Sequence, residues 1–229
     1  MIPGGITPLF FATETGEWQI IDTWSVENAG TGNTTMNFPN SLPGDMYVCL
    51  AQADISTPSR SSSAFNEIEN GYTNATGYGI FARVGTGTAS SFTANSIISN
   101  YNSAIFFTVR GRTSFTSTSS VSWKGDARRN TGNSNTPSHG NLVTSYSAKS
   151  LALLAVFFDD DVIPSSSWSP PLGATLIASD SSFNNGSVAG AYQKLGAAGN
   201  YSWGDWGPLG TTSATDDDWV TGIIEITEP

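Results

Sequence analysis

The chain has very little of the chemistry that most metalloproteins and hydrolases use. Its 229 residues include one cysteine, Cys49, and one histidine, His139. A single cysteine excludes an internal disulfide, and this pair of residues cannot supply the usual zinc ligand sets. No G-x-S-x-G elbow, P-loop, H-E-x-x-H or EF-hand pattern occurs, so His139 is not predicted to be catalytic. Cys49 lies in the apolar alternation MYVCLAQA and is interpreted as a buried thiol.

Basic residues and long hydrophobic runs are also scarce. Nine Lys and Arg face 19 Asp and Glu, and the net charge of −10 argues against a nucleic-acid-binding protein. The apolar run at 151–158 is too short to span a bilayer, which needs about 20 residues, so no membrane insertion is predicted. The first basic residue is Arg60, so the start of the chain lacks the charged region of a standard signal peptide. We therefore expect synthesis and folding in a cytoplasm.

What the chain does contain is apolar and aromatic residues in short segments. Hydrophobic residues make up 38% of the chain and aromatic residues 11%, which is enough to build a core. Residues 151–158 (LALLAVFF) are followed by three aspartates and end in residues that favour an extended chain. This pattern predicts a strand that is covered on both faces and lies at the centre of the core. Each large apolar side chain buried there contributes about 1.5–3 kcal/mol.

Turn residues divide the rest of the chain into further short strands. Residues 1–12 cannot form a helix because Pro3 and Pro8 interrupt them, so they are predicted to be an extended arm. Residues 56–63 are predicted to be a polar loop. Strands are predicted at 16–26, 35–38, 45–54, 78–84, 90–94, 104–110, 188–196 and 219–226.

Residues 112–149 differ in character, being rich in Ser, Thr and Asn with few large apolar side chains. A long insertion of this kind is usually a functional loop or a linker. The basic cluster in and beside it either meets an acidic patch on another copy or another protein, or is a solvated loop. Together with the apolar arm, it supplies the partner-contact candidates: Ile6, Leu9, Phe10, Phe11, Arg112, Lys124, Arg128 and Arg129.

The second half of the chain repeats the order of segments in the first half. Residues 151–161 correspond to 45–54, residues 188–196 to 79–87, and residues 219–226 to 104–111, at a spacing of about 105 to 115 residues. We interpret residues 13–111 and 150–229 as duplicated halves joined by residues 112–149. The fold class predicted is all-β, a single domain with two antiparallel sheets packed as a jelly-roll sandwich.

Carboxylates leave one chemical question open. Residues 159–161 and 216–218 are triple aspartates, and Asp180 and Asp205 lie in polar segments. Two carboxylates about 5–10 Å apart could serve glycoside hydrolysis. Oxygen ligands from adjacent loops would suit Ca²⁺, the only cofactor considered. The third interpretation is solubilising charge at strand ends that also limits edge pairing. No catalytic residue is assigned.

Three tryptophans of the second half have three interpretations. Trp168, Trp203 and Trp206 lie in predicted loops. They could stack on sugars, anchor a subunit interface where Trp is enriched, or cap the core.

The order of these segments resembles a module found in structural proteins of tailed phages. The residues that carry the resemblance are Pro43-Gly44-Asp45, the aromatic strand at 80–84, Val109-Arg110-Gly111 and Ser150-Leu151. It covers about residues 30–227. The resemblance implies a β-sandwich tail-fibre, tail-accessory or head-decoration protein without catalytic residues. The chain departs from the module in residues 59–65, where the usual tryptophan is missing and only Trp168 appears, in the second half.

The function predicted is therefore non-enzymatic. We expect a structural or accessory subunit that assembles on the capsid or tail of a virion, after synthesis in the host cytoplasm. Its partners would be other virion proteins and copies of itself, not nucleic acid. The alternative is a glycan-binding module that contacts cell-surface glycans through the three tryptophans.

Overall fold

In the computed structural model, the backbone of most of the chain is described. The described residues are 17–27, 35–54, 56–73, 76–87, 90–124, 128–130, 136–139, 143–159, 168–182, 186–207 and 218–229. The predicted arm at residues 1–12 lies outside them, as do Asp160, Asp161, Asp216 and Asp217.

Among the described residues, the first half of the chain forms nine strands and one helical turn, α1, at Ala94–Ile97. The strands are β1 Gln19–Glu27, β2 Thr35–Phe38, β3 Met46–Ala53, β4 Ser59–Arg60, β5 Asn66–Thr73, β6 Thr76–Val84, β7 Ser90–Thr93, β8 Ile98–Ser99 and β9 Ser103–Arg110.

The described part of the second half and of the segment before it forms eight strands after a short 3₁₀ turn at Thr118–Ser120. They are β10 Val121–Trp123, β11 Arg128–Asn130, β12 Val143–Tyr146, β13 Leu151–Phe158, β14 Thr175–Ser182, β15 Gly186–Lys194, β16 Gly199–Ser202 and β17 Trp219–Ile226.

Each half builds one main antiparallel sheet, and the two sheets have the same strand order. The first sheet has the order β1-β9-β3-β6-β5, and the second has the order β10-β17-β13-β15-β14, with β11 also paired to β17. The smaller pairs β2–β7 and β12–β16 also hold matching places in the two halves. Strands β2 and β12 each precede the central strand of their half, and β7 and β16 each follow the strand that pairs with it, β6 or β15. The strand order of the first half is therefore repeated in the second half.

The two hairpin edge strands share an irregularity. In β5 the register shifts between Glu67 and Glu69, opposite Phe81 and Ile80. In β14 it shifts between Leu176 and Ala178. The extra residue is an isoleucine in both cases, Ile68 or Ile177, and both side chains pack against the core between the sheets. A third edge strand, β1, is also bulged. Bulges bend an edge strand and hinder its pairing with another chain.

The two main sheets and the smaller pairs β2–β7 and β12–β16 form four layers, and three apolar clusters lie between these layers. The central cluster lies between the sheets and contains alternate residues of β3 and β13, among them Leu50, Leu153 and Phe157. The other faces of these strands are also covered. Met36 of β2 lies in the cluster on the outer face of the first sheet, and Tyr146 of β12 lies in the cluster on the second.

This double covering explains the sequence of the central strands. All eight residues of β3, β13 and β17 are buried, so these strands read as nearly continuous apolar runs. The structure confirms an all-β fold of antiparallel sheets packed as a sandwich. The jelly-roll form of the connections stays a prediction.

Three expectations from the sequence need correction. The polar strand β5 was missed, and so was β14. Residues 112–149 are not one connecting loop, because β10, β11 and β12 form within them. These strands contain few large apolar residues, and their pairing is supplied by β17 and β16, which lie far away in sequence. The alignment of the two halves also differs from the predicted one. Val84 and Val109 pair with Met46, the first residue of β3. Lys194 and Ile226 pair with Leu151, the first residue of β13, so Val84 matches Lys194 and Val109 matches Ile226.

A glycine in β15 provides a test of the central packing. A Cβ atom at Gly190 would lie 2.9 Å from Ile105 Cδ1 and 3.0 Å from Leu50 Cδ1. We expect Gly190→Val to lower the free energy of unfolding by about 1–3 kcal/mol, measured by urea denaturation, because the inserted methyl groups overfill the core. The control is Gly196→Val, where a Cβ has no neighbour within 4 Å. An equal cost at both positions would contradict this packing.

Candidate functional site

Five carboxylates of the described chain lie at one end of the sandwich, which we call the acidic end. At this end β13 finishes while β15 and β17 begin, because Phe158 pairs with both Ser187 and Trp219. The first sheet reaches the same end, where Thr76 Oγ1 donates a hydrogen bond to the Asp218 carbonyl at 3.1 Å. The carboxylates of the acidic end are Glu27, Asp54, Asp159, Asp180 and Asp218.

The opposite end, which we call the base, contains all four ion pairs found among the described residues. They join Arg110 to Asp45, Arg112 to Glu228, Lys124 to Glu225 and Lys194 to Glu17. The basic residues of the described chain are thus largely neutralised at the base. None of these four ion pairs lies at the acidic end, so the molecule is electrostatically polarised along the strand direction.

Two of the ion pairs at the base contain buried carboxylates. Arg110 binds Asp45 through two nitrogens, with Nε–Oδ1 at 2.9 Å and Nη2–Oδ2 at 2.8 Å, in a bidentate arrangement. Glu225 is 1% exposed and lies 2.6 Å from Lys124 Nζ. Burial acts to raise the pKa of Glu225, but hydrogen bonds from Lys124 and the Ser147 amide outweigh it and lower that pKa. The Arg110–Asp45 pair fastens the loop before β3 to β9. The Lys124–Glu225 pair joins the residue after β10 to β17, and the hydrogen bond from the Ser147 amide to Glu225 Oε1 fastens the loop before β13 to β17.

The acidic end brings together one residue from each aspartate cluster of the sequence, Asp159 and Asp218, which are the two of the six that the structure describes. The Asp159 amide donates to the Asp218 carbonyl at 2.9 Å, so the end of β13 and the start of β17 continue their pairing past the sheet. Antiparallel pairing therefore places Asp159 and Asp218 at the same end.

The interior of the acidic end is polar. Gln52, Ser103 and Glu27 hold neighbouring positions on β3, β9 and β1, on the faces turned toward the second sheet. Gln52 and Ser103 are 0% exposed, and Asp180 of β14 is 7% exposed. Burial, followed by the charge of Glu27, raises the pKa of Asp180 to about 7, although a hydrogen bond from Ser25 favours the ionised form. The seam between β1 and β14 thus holds a carboxyl group that titrates near neutrality.

No metal centre is defined within the described part of the chain. It contains no group of three or more His, Cys, Asp or Glu side chains placed to hold a metal ion. Ca²⁺ binding by the aspartates stays an interpretation of the sequence. Among the described residues, no helix is long and apolar enough to cross a bilayer.

The three tryptophans proposed as sugar platforms are core residues. Trp168, Trp203 and Trp206 are 4%, 5% and 0% exposed and belong to the cluster on the outer face of the second sheet. Trp168 and Trp206 pack edge to face at 6.0 Å. Buried rings present no face on which a sugar could stack, so the core-capping interpretation fits this structure and the sugar-stacking one does not.

His139 helps to fix this outer layer. Trp206 Nε1 donates to His139 Nε2 at 3.2 Å, and the Trp206 amide donates to the Pro137 carbonyl at 2.8 Å. His139 is 1% exposed. Burial lowers its pKa to about 4, despite the opposing charge of Asp205. Its imidazole is thus a neutral acceptor that locks a loop onto Trp206.

The predicted partner-contact residues have different outcomes. Lys124 is engaged with buried Glu225 and Arg112 with Glu228, so both charges serve contacts within the chain. The backbone of Arg128 and Arg129 lies in β11, opposite Thr221 and Val220. Their side chains are outside the described part, as is the arm that carries Ile6, Leu9, Phe10 and Phe11.

Sequence reasoning missed the ion pairs of the base and the polar seam. Asp45 stands in the turn that precedes β3, and Arg110 ends β9, so a signal for their pairing was present in the motifs. The seam has no such signal, because β1 and β14 are brought together only by the packing of the sheets.

The chain was compared with protein-family models, with curated proteins and with solved structures, and none of the three comparisons gives a match.

The raised pKa of Asp180 predicts a pH effect on stability. The folded state holds this proton up to about pH 7, whereas the unfolded state releases it near the ordinary value of 3.8. The contribution of Asp180 to stability is therefore lost as the pH rises from about 4 to 7. We compare the free energy of unfolding of Asp180→Asn with that of the wild type. We expect this difference to shift in favour of the variant by on the order of 2–4 kcal/mol as the pH rises from 4 to 8.

Urea denaturation across this pH range measures the difference. Glu67→Gln, which changes an exposed carboxylate, is the control and should follow the wild type. A constant difference between Asp180→Asn and wild type would argue against a proton held at the seam. The groups that act on Asp180 are Glu27 and Ser25, and Tyr101 interacts with its charge.

The lowered pKa of His139 predicts a change of stability with pH of the opposite sign. Its folded-state pKa near 4 lies below the ordinary 6.5, so the unfolded state binds more protons between these values. The contribution of His139 to stability falls as the pH drops from about 6.5 to 4. His139→Gln keeps an acceptor for Trp206 but cannot be protonated. In the same assay, we expect the free energy of unfolding of this variant, relative to that of the wild type, to rise by about 1–3 kcal/mol as the pH falls from 7 to 4.5. A pH-independent difference would refute this assignment.

Proposed function

We propose that the chain is a non-enzymatic structural or accessory subunit of a virion, of the tailed-phage type that its sequence resembles. The observation that carries the proposal is the double covering of both sheets. The largest fully buried side chains include Trp206, Phe38, Phe65, Phe81 and Phe157, which lie in all three clusters. Such a body is suited to mechanical support, because its faces are used internally and its ends and loops remain for contacts.

The charge distribution supports a defined orientation in an assembly. The base contains the four ion pairs, while the acidic end contains carboxylates and none of these pairs. An acidic end favours a neighbour with a basic surface and repels a second acidic end, since like charges across an interface are costly. In this proposal, electrostatics select which end docks, and the apolar arm at residues 1–12 supplies the affinity.

No residue is proposed to carry out a chemical reaction. The single histidine is buried and accepts a hydrogen bond from Trp206. Cys49 is buried in the cluster on the first sheet, and burial raises its pKa well above the ordinary value. A thiol in this state is a poor nucleophile.

The first test asks whether the chain is part of a particle. Virions of a phage that encodes it would be purified and analysed by quantitative mass spectrometry and immuno-electron microscopy. We expect the chain in fixed copy number at one place on the capsid or tail. Its presence in the lysate of infected cells but not in purified particles would refute the proposal.

The second test addresses the arm. Replacing Ile6, Leu9, Phe10 and Phe11 with serine keeps the length of the arm but removes its apolar side chains. We expect incorporation into particles to fall about tenfold or more while the melting temperature changes little, because each lost anchor weakens only the contact. The matched control is Leu172→Ser, which removes a leucine that is 100% exposed elsewhere on the surface. Unchanged incorporation of the arm variant would remove the arm from the proposal.

A further inference from the structure

An open groove on the first half of the molecule has features of a ligand site. It has a volume of about 410 Å³ and lies where β6 ends, beside the start of β5 and the segment before the 3₁₀ turn. This volume lies within the range of small-molecule sites, roughly 300–1,000 Å³. Its lining residues are Ala64, Asn66, Arg83, Val84, Thr86, Thr116, Ser117 and Thr118.

Arg83 is the only charged residue of this lining, and two aromatic rings hold it in place. Its guanidinium carbon lies 5.1 Å from the ring centroid of Phe92 and 5.9 Å from that of Phe65. Stacking of this kind orients the guanidinium and leaves the N–H groups along its edge available. The cation is thus fixed in position before any ligand arrives.

The guanidinium of Arg83 has no polar partner among the described residues. The ion pairs found there involve Arg110, Arg112 and two lysines, and Arg60 donates to the Phe65 carbonyl. Arginine carries five N–H donors and no acceptor, and its fork matches a carboxylate with two parallel hydrogen bonds. Arg60 and Arg83 therefore both lack a carboxylate partner among the described residues, and of the two only Arg60 has a carbonyl acceptor there.

The rest of the lining is neutral and rich in hydroxyl groups. Thr86, Thr116, Ser117 and Thr118 supply hydroxyls and Asn66 an amide. A hydrogen bond from Asn66 Nδ2 to Thr118 Oγ1 ties the two sides of the groove together. Such groups both donate and accept, which suits a ligand with several hydroxyls of its own.

We propose that this groove binds a carboxylate-bearing sugar, such as a hexuronic acid, with its carboxylate on Arg83 and its hydroxyls on the threonine and serine side chains. One guanidinium balances one negative charge. A phosphate dianion would keep an unbalanced charge beside an acidic protein, and a neutral sugar would leave Arg83 without a counter-charge. This proposal is independent of the assembly role.

The second half of the molecule does not repeat the arginine of the groove. The position on β15 that matches Arg83 is Gln193, because Arg83 pairs with Tyr47 and Gln193 pairs with Ala152 at equivalent places in the two sheets. The groove therefore has its cation in only one half of a repeated strand order. Its cation is a feature added to the shared architecture.

Isothermal titration of the full chain with sodium glucuronate tests the site, with glucose and inorganic phosphate as the comparison ligands. We expect saturable binding of glucuronate and none of glucose. Arg83→Gln should weaken binding about 10- to 100-fold, because it removes two charge-assisted hydrogen bonds. Arg83→Lys should also weaken it, since an ammonium group keeps the charge but lacks the fork.

Two further variants separate the site from general effects. Thr116→Val removes one hydroxyl at nearly constant shape and should weaken glucuronate binding severalfold. Lys194→Gln removes a cation at the base, outside the groove, and should leave binding unchanged. Circular dichroism of each variant checks folding.

The proposal fails on any of three results. These are no saturable glucuronate binding to the wild type, equal binding by folded Arg83→Gln, or phosphate binding as tight as glucuronate. A uronic-acid oligosaccharide then distinguishes the source of the ligand. Tighter binding than the monosaccharide indicates the end of a glycan chain, and equal or weaker binding indicates a free sugar acid.

Discussion

The fold depends on covering both faces of two β-sheets. A single sheet with an apolar run on each side cannot stand alone in water, so each central strand needs a layer on either side. The two sheets cover one face of each other, and the small pairs β2–β7 and β12–β16 with their neighbouring aromatic residues cover the outer faces. This requirement accounts for the buried tryptophans of the second half and for the position of the single histidine.

The same arrangement separates the charges. Strands buried on both faces cannot carry ionised side chains along their length without partners, so charge collects where strands enter and leave the sheets. At the base, buried Asp45 and Glu225 are matched by Arg110 and Lys124. At the other end, antiparallel pairing brings Asp159 beside Asp218, and packing of the sheets sets Asp180 near Glu27. The result is a molecule with a neutralised base and an acidic end.

Much of the framework could be predicted from local patterns. The strands at β3, β6, β9, β13 and β17 are apolar enough to be read from composition alone, and the repeated order of segments indicated two related sheets. The polar strands β5, β10 and β11 could not be read in this way. Strands β10 and β11 pair with β17, which is distant in sequence, whereas β5 pairs with its neighbour β6. The side chains of these three strands carry no period that distinguishes them from a loop.

The sequence by itself determined the all-β class, the central place of Leu151–Phe158 and the absence of a disulfide, because these follow from residue type and short-range pattern. Only the tertiary structure decided which charges stay unpaired and which aromatic rings are reachable. Trp203 lies in a polar segment whose sequence left three interpretations open, and the structure buries it. Arg83 in an apolar strand reads as ordinary, yet it faces an open groove. Exposure and pairing depend on contacts between residues far apart in the chain, which no local pattern encodes.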